Sequence, residues 1–182
     1  MSAWSQFYKD RCNDGYVEYV QRRYRPFLEE ILRHCPTSFL EEGCGIGTIS
    51  KILEILKPGG TFHLSDRDHD IMGLASQFTR FDPKLDNIIL GYRAPKSVDV
   101  AFGHGVLEHF EDFEIQAILD RQYEISNRVV HYVPTDLYKV PSFGDERLLP
   151  PEYWVSEFDP THWFTFNQGH DLCLVWERPN ET

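Results

Sequence analysis

The 182-residue chain is long enough for one domain whose core needs no disulfide or metal staple. Its formal net charge of −11 argues against the basic footprint of a nucleic-acid binder, and no stretch approaches the roughly 20 apolar residues of a membrane helix. Cys12, Cys35, Cys44 and Cys173 are scattered with no C-x-x-C pair, and the N-terminus lacks a signal-like apolar run. The sequence therefore predicts a soluble cytoplasmic protein with reduced thiols.

In chain order, Tyr16, Val20, Tyr24, Phe27, Ile31 and Leu32 recur near helical spacing and predict helix over about 16–33, with Pro26 opening a second segment. A first strand is expected at 38–42 and a helix at 48–56, broken by Lys57-Pro58-Gly59-Gly60. A second strand covers 61–65 and ends at Asp66, a helix covers 69–78, and short strands are expected at 87–90 and 98–102. The stripe Phe113, Ile115, Ile118, Leu119 and Tyr123 predicts helix over 111–125, before a fifth strand at 129–133. A short helix at 150–158 precedes two apolar runs, 163–166 and 172–176, which flank Asn167-Gln168-Gly169-His170 as an antiparallel hairpin. Alternating strands and helices predict an α/β fold, with a parallel sheet covered on both faces and a hairpin at one edge. One domain is expected, with residues 1–35 as a helical leading segment and 36–182 as the core.

Chemistry concentrates in three places. Phe39-Leu40-Glu41-Glu42 runs into Gly43-Cys44-Gly45-Ile46-Gly47, a strand-to-helix turn in which a Cβ would block the approach of a ligand to the backbone. Its G-x-G-x-G spacing is shorter than the dinucleotide fingerprint G-x-G-x-x-G. Asp66 lies about 20 residues beyond that turn at the end of the second strand, where a carboxylate can accept both ribose hydroxyls. The competing reading is a cap on the following helix, a task Asp68 or Asp70 could also perform. Third comes Val98-Asp99-Val100-Ala101-Phe102-Gly103-His104-Gly105-Val106-Leu107-Glu108-His109, with small residues at the carboxyl end of a central strand.

Taken together, these segments resemble the class I S-adenosylmethionine-dependent methyltransferases, whose first motif commonly reads E-x-G-C-G-x-G and whose fourth-strand motif is often D-V-V-x-x-x-x-V-L-E-H. Gly144-Asp145-Glu146-Arg147-Leu148-Leu149-Pro150 is similar to a G-D-E-R-x-L-P segment of some type 11 methyltransferases. The resemblance implies a three-layer Rossmann-like fold with a mostly parallel seven-stranded sheet and a C-terminal antiparallel hairpin. It implies S-adenosylmethionine as cofactor, held by Glu41, Gly43, Gly45, Gly47, Asp66, Gly103 and His104, with a small-molecule acceptor methylated at oxygen or nitrogen. His104 is expected to face the transferable methyl and to serve as general base; the alternative is a hydrogen bond to its own loop. Tyr16 and Tyr19 are expected over the acceptor, or else in the core, and Arg147 binds an acceptor carboxylate or fixes its own loop. The acid that usually follows strand three and contacts the adenine amino group is missing after Gly91, so Tyr92 is expected to stack on the base or leave it to backbone groups, with modest cofactor affinity.

No metal is expected. Small-RNA 2′-hydroxyl methyltransferases use a similar E-x-x-E-H segment as part of a metal site, but Gly105 stands where the first glutamate would be, and His131, His162 and His170 have no ligand spacing. Other readings are a non-catalytic S-adenosylmethionine-binding regulatory module, an RNA methyltransferase and an NAD-dependent oxidoreductase, the last sharing the ribose acid.

Overall fold

The computed structural model describes residues 2–89, 91, 95–141 and 145–178. Seven strands, β1 (Ser38–Glu42), β2 (Thr61–Asp66), β3 (Lys84–Leu85), β4 (Val98–His104), β5 (Ser126–Pro134), β6 (His162–Phe166) and β7 (Asp171–Glu177), form one sheet in the order β3-β2-β1-β4-β5-β7-β6. The first five pair in parallel, while β7 runs antiparallel between β5 and β6. The helices are α1 (Ala3–Tyr8), α2 (Asp14–Arg23), α3 (Arg25–Ile31), α4 (Thr48–Leu56), α5 (His69–Phe78), α6 (Asp112–Ile125) and α7 (Pro151–Phe158). Among the described residues no helix is long and apolar enough to cross a membrane.

The central strands read as near-continuous apolar runs because both faces are covered. In β5, Val130 and Tyr132 pack with α2, α3 and α4, while Val129 and Val133 pack with α6 and α7. The same alternation places Cys173 and Val175 of β7 on the first face and Leu172, Leu174 and Trp176 on the second. Two polar ties cross these layers. Arg128 of β5 pairs with buried Glu30 of α3 and with Glu177 of β7. Gln122 of α6, fully buried, donates to Glu42 at 2.7 Å and meets His131 Nε2 at 2.8 Å.

The structure differs from the sequence reading in three places. Of the strand predicted at 87–90, the described residues 87–89 are not strand: β3 is the two-residue edge Lys84–Leu85, paired with Ser65 and Asp66, and the apolar Ile88 turns away to pack with α6. Ahead of the helix expected at 111–125, Glu108 and His109 sit in a separate 3-10 turn at 107–109, and α6 begins at Asp112 under a capping box made by Glu111 and Glu114. Helix α1 has no counterpart in the sequence reading. Its first turn is capped by Ser2 Oγ, which accepts from Ser5 N at 3.1 Å, and Ser2 N donates to Asp70 of α5 at 3.0 Å.

Candidate functional site

In this sheet β1 and β4 are neighbours, yet the chain leaves them toward opposite edges, through α4 to β2 and through α6 to β5. The crevice outside the carboxyl ends of such a pair is where open α/β sheets bind ligands. Here it is a solvent-open cleft, lined among others by Gly43, Gly45, Asp66, Asp86, Ile88 and His104. Trp4 and Tyr8 of α1 form one wall. The backbone is left-handed at Gly43, φ +66°, and at Gly45, φ +54°. A Cβ on Gly45 would lie 3.0 Å from the Tyr8 hydroxyl, and one on Gly43 would lie 2.7 Å from Val106. Both positions therefore demand glycine on conformation and on space.

Asp66 is locked to this turn. Its carboxylate accepts from Gly45 N and from Asp68 N, each at 2.9 Å. The cap of α5 is Asp68, which accepts from Asp70 N and Ile71 N, so the capping task falls elsewhere and Asp66 faces the cleft. Burial raises the Asp66 pKa, opposed by those backbone N–H groups. Glu41 is 2 % exposed and accepts from Ser50 N at 3.1 Å and Ser50 Oγ at 2.6 Å. Burial pushes its carboxyl up to about 8 against those two hydrogen bonds. It lines a small pocket shared with Gly43, Tyr8, Tyr16 and His104. Glu42 points to the opposite face and pairs with Arg121 and Gln122, as strand alternation requires.

A second cavity adjoins the cleft, and His104 and Gly105 line both. Its wall is aromatic: Tyr16, Tyr19, Tyr24, Tyr132 and Tyr138 contribute, with Glu108 and Glu146 at one side. The His104 ring stacks on Tyr132 at 4.6 Å and meets the edge of Tyr24 at 4.2 Å. His104 Nε2 is buried with no hydrogen-bond partner among the described residues. Burial drives its pKa down to about 3, so the ring is neutral imidazole throughout the physiological range. Behind it, fully buried Asp171 accepts from Tyr132 at 3.0 Å, Tyr138 at 2.8 Å and Arg23 at 3.0 Å, and also from Asn167. That hub fixes the aromatic wall to the start of β7. Glu108, also buried, is pushed up to about 8, mainly by burial and further by Glu146 and Asp145.

The structure brings Glu41, Gly43, Gly45, Asp66, His104, Tyr16 and Tyr19 to these connected cavities. It does not bring the others. Gly47 caps α4 and makes room for Leu64 and Thr79, and Gly103 makes room for the His131 ring on the α6 side. Arg147 turns away from the cavities, donating to Phe110 O and Asp112 at 2.7 Å and to Tyr153 at 3.3 Å. It fixes its own loop. Tyr92 lies outside the described residues. The sequence reading missed Asp86, because the expected third strand was placed too late; with β3 at Lys84–Leu85, the residue directly after it is this acid, and it lines the cleft. Trp4 and Tyr8 were missed along with α1.

No protein-family model matches the chain, and no curated protein matches it. Solved structures do. A putative methyltransferase of Haloferax volcanii, solved in complex with the Trm112 methyltransferase activator, has a TM-score of 0.74 at 13% identity, covering 99% of this chain and 96% of that one. A SAM-dependent methyltransferase from Archaeoglobus fulgidus gives 0.71 at 13% identity, covering 97% and 100%. Human N-acetylserotonin methyltransferase in complex with SAM gives 0.62 at 15% identity; there 99% of this chain matches 61% of the longer one. With this strand order, antiparallel terminal hairpin and crevice, the chain has the fold of the class I S-adenosylmethionine-dependent methyltransferases.

Proposed function

We propose that the chain is an S-adenosylmethionine-dependent methyltransferase that acts on the oxygen or nitrogen of a small-molecule acceptor. The observation that carries this reading is the joined pair of cavities at the switch point, one bounded by a left-handed glycine turn bound to Asp66, the other by aromatic rings, with His104 between them. The donor set suits the cofactor: buried carboxyls for ribose hydroxyls and an ammonium group, Asp86 for an adenine amino group, and ring faces beside a sulfonium. When bound, S-adenosylmethionine supplies a methyl group activated by positive sulfur.

What the chain's own residues contribute is position and a proton acceptor. Tyr16, Tyr19, Tyr24 and Tyr132 enclose a flat or apolar acceptor and exclude water. Tyr132 and Tyr24 hold the His104 ring still between the two cavities, and its Nε2 has no hydrogen-bond partner among the described residues. An imidazole of such low basicity removes little proton from a resting hydroxyl. It can take one from an oxygen or nitrogen that turns strongly acidic as it gains a methyl group, which places His104 late in the transfer.

The test is calorimetric titration with S-adenosylmethionine and S-adenosylhomocysteine, with NADH as control, on the parent and on Asp66→Ala. Binding of S-adenosylhomocysteine weakened by ~1.5–3 kcal/mol in the variant is expected, the worth of a charge-assisted hydrogen-bond pair. Absence of binding to either ligand would sink the reading, and clear NADH binding alone would replace it with an oxidoreductase.

A further inference from the structure

Beside the acceptor cavity lies a group of potential metal ligands that the transfer chemistry does not use. His109 of the 3-10 turn and Asp145 and Glu146 of the loop before α7 each place a ligand atom within 4.8 Å of the others. Two hydrogen bonds hold the segments together: Arg147 N donates to Glu108 O at 2.8 Å, and His109 Nδ1 lies 3.0 Å from an Asp145 oxygen. Trp4 packs its ring edgewise against His109 at 5.3 Å, fixing the imidazole.

A gathering of acids on a surface means little alone. The second observation is Glu108, which is 3 % exposed, lines the same cavity as His109 and Glu146, and has an Oε2 buried with no hydrogen-bond partner among the described residues. Leaving a carboxyl oxygen buried and without a hydrogen bond is costly, and a water or an ion is a partner that would satisfy it. Nor is the adjacent cation the partner, because the Arg147 guanidinium is directed away, onto Phe110 O, Asp112 and Tyr153.

We propose that His109, Asp145 and Glu146 form a divalent-cation site at the rim of the acceptor cavity, whose wall the buried Glu108 carboxyl shares. One imidazole with two carboxylates suits the hard ion Mn²⁺ or the borderline ion Zn²⁺ and leaves coordination positions open. A dication also neutralises the carboxylates that converge there. Because His109 and Glu146 line the aromatic cavity, an ion held there would favour an acceptor bearing a hard oxygen donor; that consequence, unlike the site itself, rests on the methyl-transfer reading. The sequence showed only the His109 segment and lacked a partner for it, because Asp145 and Glu146 come from a loop 36 residues further on, as the His109–Asp145 contact shows.

Mn²⁺ alone is the probe, followed by calorimetry and by electron paramagnetic resonance of the full chain, with S-adenosylhomocysteine titrated separately into each sample. One Mn²⁺ per chain is expected, with nitrogen hyperfine coupling from His109. Affinity should fall at least ~10-fold in the double variant Asp145→Asn/Glu146→Gln, whose side chains lie toward the surface and leave the core intact. His109→Gln should remove the nitrogen coupling, with circular dichroism checking its fold. No stoichiometric binding by the parent, or affinity unchanged in the double variant, would overturn the site. S-adenosylhomocysteine binding without Mn²⁺ binding rejects the cation site and spares the methyltransferase reading; Mn²⁺ binding without cofactor binding does the reverse.

Discussion

At Gly45, conformation and space converge: φ is +54°, and an added Cβ would meet the Tyr8 ring at 3.0–3.1 Å. A branched residue in that region is strained by ~1–2 kcal/mol before any clash is counted. Gly45→Val should therefore lower thermal stability modestly and abolish S-adenosylhomocysteine binding in a calorimeter; parent-like affinity would mean that the turn does not face the ligand. His104 should separate binding from turnover. His104→Ala is expected to leave cofactor affinity within a few-fold and to cut turnover by ~10²–10⁴ in a methyl-transfer assay, the range for a positioned proton acceptor. An unchanged rate would leave it only lining the junction. At this scale the sequence was most legible where spacing implies chemistry. Gly43, Gly45 and Asp66 follow from a glycine turn and an acid some 20 residues later. Gly103 and Arg147 misled because their local chemistry suits a ligand equally well, whereas tertiary neighbours, the His131 ring and the Asp112 carboxylate, claim them.

Elements with strong periodicity could be read nearly to the residue. The helix expected at 48–56 is α4 with the same bounds, and the strand at 38–42 is β1. What could not be read was short or exposed. Strand β3 has two exposed residues and no alternation, while Ile88 and Ile89 just beyond it look like a strand and pack with α6 instead. Helix α1 has six residues, below the length at which a helix holds itself, and it depends on the Ser2 cap and the Asp70 bridge. A different tie joins α2 to β7. Arg23, Tyr132 and Tyr138 all reach buried Asp171, and Asn167 adds a fourth donor from the β6–β7 turn. Asp171→Ala should cost ~2–4 kcal/mol in urea unfolding, toward the lower end because Arg23 keeps solvent access. It should also loosen the ring wall around His104, raising KM for the acceptor. A change below 0.5 kcal/mol, on the order of a surface substitution, would deny the hub its role.

The molecule as a whole carries opposing buried titrations. Glu41 and Glu108 are raised to about 8, so between about pH 4.5 and 8 the folded chain keeps protons that the unfolded chain has released. Their contribution is full below pH 4.5 and is lost as pH rises through 8. His104 and His131 are lowered to about 3, so below about pH 6.5 the unfolded chain binds protons that the folded one does not, and stability falls toward acid. Thermal midpoints measured from pH 4 to 9 should show Glu41→Gln flattening the alkaline limb and leaving the acid limb in place; an unaltered alkaline limb would mean that Glu41 is ionised in the fold. Strand alternation with helices made the global architecture readable from pattern alone, and the terminal hairpin followed from two apolar runs around Asn167-Gln168-Gly169-His170. Chain order and sheet order, however, diverge at that hairpin, with a consequence for biosynthesis. Strand β7 emerges after all the others yet lies inside the sheet, bonded to both β5 and β6. Until residues 171–177 leave the ribosome, nine-residue β5 has an unpaired edge on the side away from β4, and β6 has no strand to join. A nascent chain stalled before Asp171 is thus the form of this protein most exposed to aggregation, and its protection during synthesis falls to chaperones rather than to its own fold.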